Sequence, residues 1–310
     1  ERETGRPVGL HACGSLRLAL IPEQMREYEG FASRARHIGM DCDIIGPQQA
    51  QSLFPFLKTD EVIGALHILH DGYVDPTMST NAIAAAARDA GAEIYRHTRV
   101  EGLARTPGGA WLVETEKGDI ECEVVVNCAG FWAPEISAMI GHTLPVVAFE
   151  DEYLVTDTVA DLAALDTELP ILRDMGTPFY MRQEGDGLLV SCYEEEPLFW
   201  GVDGIPRDFD MDLLPPDLDR AQDKLERTTE LVPTLGEVGV KTIVNGPIPR
   251  SADLEPLIGP AHGLPGYWVL CGALGGFLQS GTAKYLAEWI TEGEPGLDLT
   301  PFDVRRFGPY

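Results

Sequence analysis

The stretch Tyr267-Trp-Val-Leu-Cys271-Gly272-Ala-Leu-Gly275-Gly276-Phe277-Leu-Gln-Ser-Gly-Thr-Ala-Lys-Tyr-Leu-Ala-Glu-Trp-Ile290 reads as strand, glycine turn and helix. Tyr267–Cys271 is a short apolar run suited to a buried strand, and Leu278, Ala283, Leu286, Ala287 and Ile290 then recur at helical spacing. Between them Gly272, Gly275 and Gly276 permit tight or left-handed backbone. Such a junction aims unpaired N–H groups and the positive end of a helix at one spot, and bare glycines let a ligand come close. An anionic or electron-rich ring edge suits it, while an ordinary strand-to-helix turn is the competing reading.

A second junction of the same build lies upstream. An apolar run over residues 120–127 leads into Cys128-Ala129-Gly130-Phe131-Trp132-Ala-Pro134 and a helix to Ile140. Open α/β sheets bind ligands at turns of this kind, so two of them in one chain point to a ligand site.

With 310 residues and 44% hydrophobic composition the chain can bury a sizeable core. Fifty acidic against 23 basic residues leave a net charge of −27, which repels nucleic-acid phosphates and excludes that partner. The charge reads first as a solubility device and second as an attraction for a small cationic substrate. No apolar run is long enough to span a bilayer. The six cysteines stand singly, with no metal-ligand spacing, so buried free thiols, a reducing cytoplasmic location and no metal are expected. The opening residue is Glu1, not methionine, so a fragment of a longer polypeptide is expected.

The remaining elements follow from periodicity. A strand over residues 14–20 ends at Pro22, which starts a helix that stops at Gly39, and a short helix follows the Gly46-Pro47 turn. A strand over 65–69 precedes Asp71-Gly-Tyr-Val-Asp75-Pro76, where Asp75 caps an alanine-rich helix that Gly91 closes. Strands are expected at 93–97, 110–114 and 120–127. Residues 145–245 alternate as strands, at Val146–Thr156, 179–182 and 187–193, then form a helix over 217–231, which reads as a separate, mostly antiparallel sheet.

With the junctions placed, the chain resembles the D-amino-acid-oxidase superfamily of FAD-dependent amine oxidoreductases, and within it the dimethylglycine and sarcosine dehydrogenase branch. The resemblance covers nearly all of the chain. It is carried by Gly14-Ser-Leu-Arg-Leu-Ala19, Asp71-Gly-Tyr-Val-Asp-Pro76, Val126-Asn-Cys-Ala-Gly-Phe-Trp-Ala-Pro-Glu135, residues 174–184, Asn245-Gly-Pro-Ile248, Pro256-Leu-Ile-Gly-Pro260 and the 272–281 turn. It implies a mixed α/β fold (α+β mixed), in which an incomplete Rossmann-like FAD core interleaves with an antiparallel-sheet substrate domain. Segments 1–75 and 146–245 are assigned to the substrate domain, and 76–145 and 246–310 to the FAD domain.

The resemblance also implies site residues. Val100 lies on a strand similar to one lining the adenine. Ala129, Gly130 and Trp132 resemble a turn beside the pyrophosphate and ribityl chain. Gly272, Gly275, Gly276 and Phe277 resemble the element at the flavin N1/O2 edge, where a helix N-terminus stabilises charge that develops during reduction. Core packing is the competing reading for Val100 and Trp132. The branch's entry unit, strand plus Gly-x-Gly-x-x-Gly, is absent, and its FAD-carrying histidine lies in that same region, so His11 is not that residue. The folate-binding C-terminal domains are absent as well. An N-terminal segment or a second chain is therefore expected to complete the FAD site.

On the substrate side Asp151 stands where the branch usually carries histidine; a carboxylate suits a more cationic amine, and an outward-facing strand residue is the alternative. Tyr153 and Tyr180 could wall an alkylammonium group by cation–π attraction, or be core aromatics. Arg182 and Arg250 are candidates for a substrate carboxylate, or pair with surface acids. The implied reaction oxidises the C–N bond of a small, N-methylated, cationic or zwitterionic amine by hydride transfer to flavin N5, and the iminium hydrolyses. Oxygen or an electron-transfer flavoprotein takes the electrons. The alternative is a non-catalytic or partial subunit that needs another chain for FAD.

Overall fold

The computed structural model describes residues 4–193, 196–210, 212–272 and 278–308, without the side chains of 278–280. The chain folds as two compact units, each assembled from three stretches. Unit 1 comprises Glu1–Ala92, Glu152–Glu196 and Leu213–Asn245, and unit 2 comprises Glu93–Asp151, Pro197–Asp212 and Gly246–Tyr310.

Unit 1 is built on a sheet that runs from the second half of Val146–Thr156 through Gly187–Cys192, Phe179–Glu184, Ile171–Asp174, Ser15–Ala19 and Gly64–Ile68 to Cys42–Ile45. All neighbours are antiparallel except Ile171–Asp174 against Ser15–Ala19, which is parallel. Alternation decides the two faces. Leu16, Leu18, Leu172, Met181, Leu188 and Val190 fill one core with Phe54, Leu57 and Leu231. On the other face Ala19, Leu66 and Ile68 pack under the helix Pro22–His37 through its Tyr28, Ala32 and Ala35. That helix starts as expected, with Pro22 in its first turn and the Gln24 side-chain oxygen accepting from the N–H groups of Leu20 at 2.7 Å and Ile21 at 3.1 Å. Asp174, fully buried, shapes the turn into Phe179–Glu184 by accepting from the N–H groups of Gly176 and Thr177, both at 2.9 Å.

Unit 2 holds two three-stranded sheets. In one, Tyr267–Cys271 lies between antiparallel Leu257–Pro260 and parallel Val125–Asn127. The other is the antiparallel meander Val100–Arg105, Trp111–Thr115, Ile120–Cys122. Trp111, Tyr267, Leu257 and Val269 centre its core. Val146–Thr156 runs through the unit boundary. Its first half pairs with Phe199–Trp200 and its second half with Gly187–Cys192.

Four expectations change. The helix Pro76–Asp89 falls in unit 1, so the chain leaves that unit near residue 92, not 75; the Asp75 N–H donates to Gly9 O at 3.0 Å, and its carboxylate accepts from Met78 N, which ties the helix start down. Residues 197–212 return to unit 2, anchored where Ile205 N–H donates to Glu135 Oε1 at 2.8 Å. Residues 93–97 form no strand. Ile94 and Tyr95 are exposed there, so alternation had no apolar face to bury, and Val100–Arg105 takes the place beside Trp111–Thr115. The apolar run at 120–127 divides between the two sheets.

Candidate functional site

The turn after Val125–Asn127 is held by buried polar side chains from three elements. Asn127 Oδ1 accepts from the Ala129 N–H at 3.1 Å, and its Nδ2 donates to Ala133 O at 2.9 Å, Tyr267 OH at 2.8 Å and Ser137 Oγ at 3.2 Å. Ser137 Oγ and Tyr267 OH are 2.8 Å apart. Burial pushes the Tyr267 phenol up, against the hydrogen bonds from Ser137 and Asn127 that pull it down. Every member is therefore neutral at ordinary pH and fully engaged, which fixes the backbone of the turn. Gly130 follows at φ +60°, and a Cβ there would meet nothing within 4 Å, so the turn presents bare backbone to whatever lies beside it.

Beside this turn unit 2 opens a cleft of about 770 Å³ lined by Val100, Ala129, Trp132, Ile136 and Phe209, by Arg99 and Arg207, and by the acidic Glu101, Glu135 and Asp210. Arg99 Nη1 donates to Arg207 O at 2.8 Å, and Arg207 pairs with Glu101 at 3.0 Å. The Phe209 ring lies 6.3 Å from Trp132 and 4.6 Å from Trp200. Apolar and aromatic walls suit a flat heterocycle, guanidinium groups suit phosphate, and the open glycine allows close approach. The residues present fit an adenine nucleotide portion such as that of FAD. The cleft brings together Val100, Ala129 and Trp132, three residues that the resemblance assigned to the cofactor.

Gly272 ends Tyr267–Cys271 at φ +77°, with Ser251, Leu257 and Val146 side-chain carbons 3.3 to 3.4 Å from the Cβ it lacks. Its bare backbone faces packed core, not open space. Gly275, Gly276 and Phe277 lie outside the described residues. Among the cysteines Cys42, Cys192 and Cys271 are buried, Cys13 and Cys122 are half-buried and Cys128 is exposed, so the expectation of buried thiols holds for three. Burial and the neighbouring Cys128 push Cys271 up to about 12, which keeps it an unreactive thiol.

The substrate-side residues fall in two places. In unit 1 register aligns Tyr153 with Ser191, Ser191 with Tyr180, Tyr180 with Arg173, and Arg173 with Arg17, so the two predicted tyrosines share one sheet face with two arginines. Both tyrosines are half-buried, which suits a wall more than a core. Burial raises the Tyr153 phenol, with Arg182 lowering it and Glu184 raising it. Arg182 shares that face, but it pairs with Glu184 at 2.5 Å and lies 4.1 Å over the Tyr73 ring, so its guanidinium is engaged within the protein. In unit 2 Asp151 and Arg250 interact. Burial pushes the Asp151 carboxyl up, and Arg250 pulls it partly back. Arg250 is only 9% exposed and Asp151 is half-buried.

Other residues of the quoted motifs prove to be engaged. Tyr73, within Asp71-Gly-Tyr-Val-Asp-Pro76, is sandwiched between the His11 ring at 4.5 Å and the Arg182 guanidinium, and its hydroxyl donates to Glu168. Burial and that carboxylate both raise its phenol. Asn127 and Arg17 also lie in quoted motifs. The motif was the available signal, while their partners, far off in sequence, were not readable from it.

Two interleaved α/β units, one with a nucleotide-sized cleft at a strand-to-helix turn, define a dinucleotide-cofactor oxidoreductase architecture. The family described as FAD dependent oxidoreductase matches residues 1–289, and the chain belongs to it. Mitochondrial dimethylglycine dehydrogenase of Rattus norvegicus is 39% identical over 316 residues, covering 100% of this chain and 37% of the relative. Mitochondrial sarcosine dehydrogenase of Mus musculus is 33% identical over 314 residues, covering 99% of this chain and 34% of the relative. This chain thus spans a little over a third of the length of the curated relatives it matches. The crystal structure of L-proline dehydrogenase from P. horikoshii superposes with a TM-score of 0.84 at 24% identity, covering 99% of this chain and 79% of that one, which shows the shared fold. Among the described residues no helix is long and apolar enough to cross a membrane, and no group of three or more His, Cys, Asp or Glu could hold a metal.

Proposed function

We propose that this chain is the catalytic body of an FAD-dependent oxidoreductase that oxidises the C–N bond of a small N-methylated amino acid. The observation that carries the reading is the convergence of Val100, Ala129 and Trp132 on one cleft that two arginines also line. The relatives named for dimethylglycine and sarcosine supply the substrate class. FAD, when bound, supplies the hydride acceptor. Val100 lines the adenine end, and the Asn127-braced turn keeps Ala129, Gly130 and Trp132 in place beside the diphosphate and ribityl chain. Tyr153 and Tyr180 receive the alkylated amine on their ring faces. Asp151, whose carboxyl is pushed up by burial, stands as a carboxylate where the branch usually carries histidine, which favours a more cationic amine. The iminium product hydrolyses in water to the demethylated amine and formaldehyde; oxygen or an electron-transfer flavoprotein reoxidises the cofactor. A reducing compartment such as the cytoplasm suits the unpaired cysteines, although the relatives' names place those proteins in mitochondria.

A second reading, a partial subunit that needs another polypeptide segment for FAD, is favoured by one feature. Val125–Asn127 closes its sheet on one side only among the described residues, with Val124 and Val126 exposed on it. Purified protein distinguishes the two. A yellow chain whose flavin absorbance bleaches on adding N,N-dimethylglycine or sarcosine supports the first, and a colourless chain that stays inert with added FAD overturns it for this chain.

A further inference from the structure

We infer that Arg173 and Arg17 together form a carboxylate seat on the sheet face of unit 1. The two residues are directly paired across the parallel strands Ile171–Asp174 and Ser15–Ala19, so the two side chains leave the sheet from adjacent positions on one face. Like charges in register on neighbouring strands repel, and an anion between them removes the penalty. Among the described residues no carboxylate pairs with either arginine; Asp174, beside Arg173, is committed to the Gly176 and Thr177 N–H groups. Neither arginine has an ion pair or hydrogen bond among the described residues, and the Nε of each is buried without a partner. Their contacts are to ring faces: Arg17 lies 5.6 Å from the Phe31 centroid and Arg173 5.5 Å from that of Tyr180. A ring under the plane of a guanidinium leaves its edge donors open. An orphaned Nε–H is the donor that a side-on carboxylate takes together with an Nη–H, in the two-bond geometry that distinguishes guanidinium from ammonium.

The charged neighbours on the same face are already committed. Arg182 pairs with Glu184, and Asp71 accepts from Ser15 Oγ at 2.6 Å. The row then runs on from Arg173 through Tyr180 and Ser191 to Tyr153, which sets the aromatic rings for an alkylated amine next to the carboxylate seat. An amino acid laid along this row would put its carboxylate on Arg173 and Arg17 and its amine toward the tyrosines. That orientation rests on the proposed amine oxidation; the carboxylate seat does not.

Thermal shift on the full chain, without and with added FAD, tests it. The probes are N,N-dimethylglycine, acetate, inorganic phosphate and N,N-dimethylethanolamine, an amine without a carboxylate. The expected result is a saturable rise in Tm with dimethylglycine and acetate, none with dimethylethanolamine, and an apparent Kd weakened about tenfold or more in Arg173→Gln and in Arg17→Gln, the loss that one charge-assisted hydrogen-bonded pair implies. Arg173→Lys, which keeps the charge and removes the fork, guards against a variant that fails to fold, and is expected to weaken acetate binding as well. Saturation unchanged in these variants, no carboxylate-dependent shift, or tighter binding of phosphate than of acetate would each overturn the seat. The acetate arm without FAD is read independently of flavin colour, so a colourless chain that binds acetate would sink the oxidoreductase reading and leave the seat standing.

Discussion

Tyr267 carries a polar atom into the centre of the unit 2 core, and it is tolerated there only because Asn127 and Ser137 meet it, each at 2.8 Å. Replacing the hydroxyl with hydrogen costs those bonds and leaves Ser137 with fewer partners, while the ring still fills its place beside Trp111 at 5.7 Å. Tyr267→Phe is therefore expected to lose about 1–2 kcal/mol of stability, the range for one buried hydrogen-bonding group, read as a lower urea midpoint at unchanged slope. An unchanged midpoint would show that the network does not brace the turn. At this scale the sequence disclosed residues whose type alone suggests chemistry, such as Tyr153, Tyr180 and Arg182. It did not disclose Arg17 and Arg173 as a pair, because their adjacency depends on the register of strands about 150 positions apart, which no local pattern encodes.

Elements that announce themselves by punctuation were legible. Pro22, Pro47 and Asp75-Pro76 open their helices where they stand, and Tyr267–Cys271 and Val146–Thr156 begin and end at the expected residues. What periodicity could not deliver was the end of the long strand Val240–Ser251 and its closure by the short helix Val304–Phe307, since the strand carries two prolines and no regular alternation and the closure depends on pairing between residues about 50 positions apart. That closure is an ion pair: Arg306 Nε and Nη2 each donate to Asp253 at 2.8 Å, and Ser251 Oγ donates to Asp253 Oδ1 at 3.1 Å. These bonds to Arg306 hold the Asp253 carboxyl down, at about 2. A depressed folded pKa contributes stability above the unfolded value of roughly 3.9 and loses it as pH falls toward 2. With Asp253 40% exposed the contribution is screened and small. Asp253→Asn is accordingly expected to be slightly less stable at neutral pH and to lose less further stability than the parent between pH 4 and pH 2. Circular dichroism at fixed urea across that window measures the difference, and parallel curves would sink the assignment.

For the molecule as a whole, composition stated the charge, while the interleaving of two units was expected from the resemblance alone. Two units, each drawing on three stretches of chain, cannot be inferred from periodicity, because a strand such as Val146–Thr156 looks continuous in sequence while its two halves pair with different partners. The acidic excess does have a global consequence. Fifty acidic residues against 23 basic ones leave most carboxylates without a cationic neighbour, and their mutual repulsion opposes the compact state. Ion pairs such as Arg227 with Glu61 and Glu230 act the other way, yet exposed pairs are worth at most about 1 kcal/mol each. Salt screens both, and with the excess this large the repulsion is the greater loss. Raising NaCl from about 0.1 M, where charges are felt over about 10 Å, to about 1 M, where the range is about 3 Å, is expected to raise the melting temperature. Chloride is the appropriate anion, because sulfate stabilises by exclusion whatever the charge. A melting temperature that falls with NaCl would mean that the scattered ion pairs outweigh the net charge of −27.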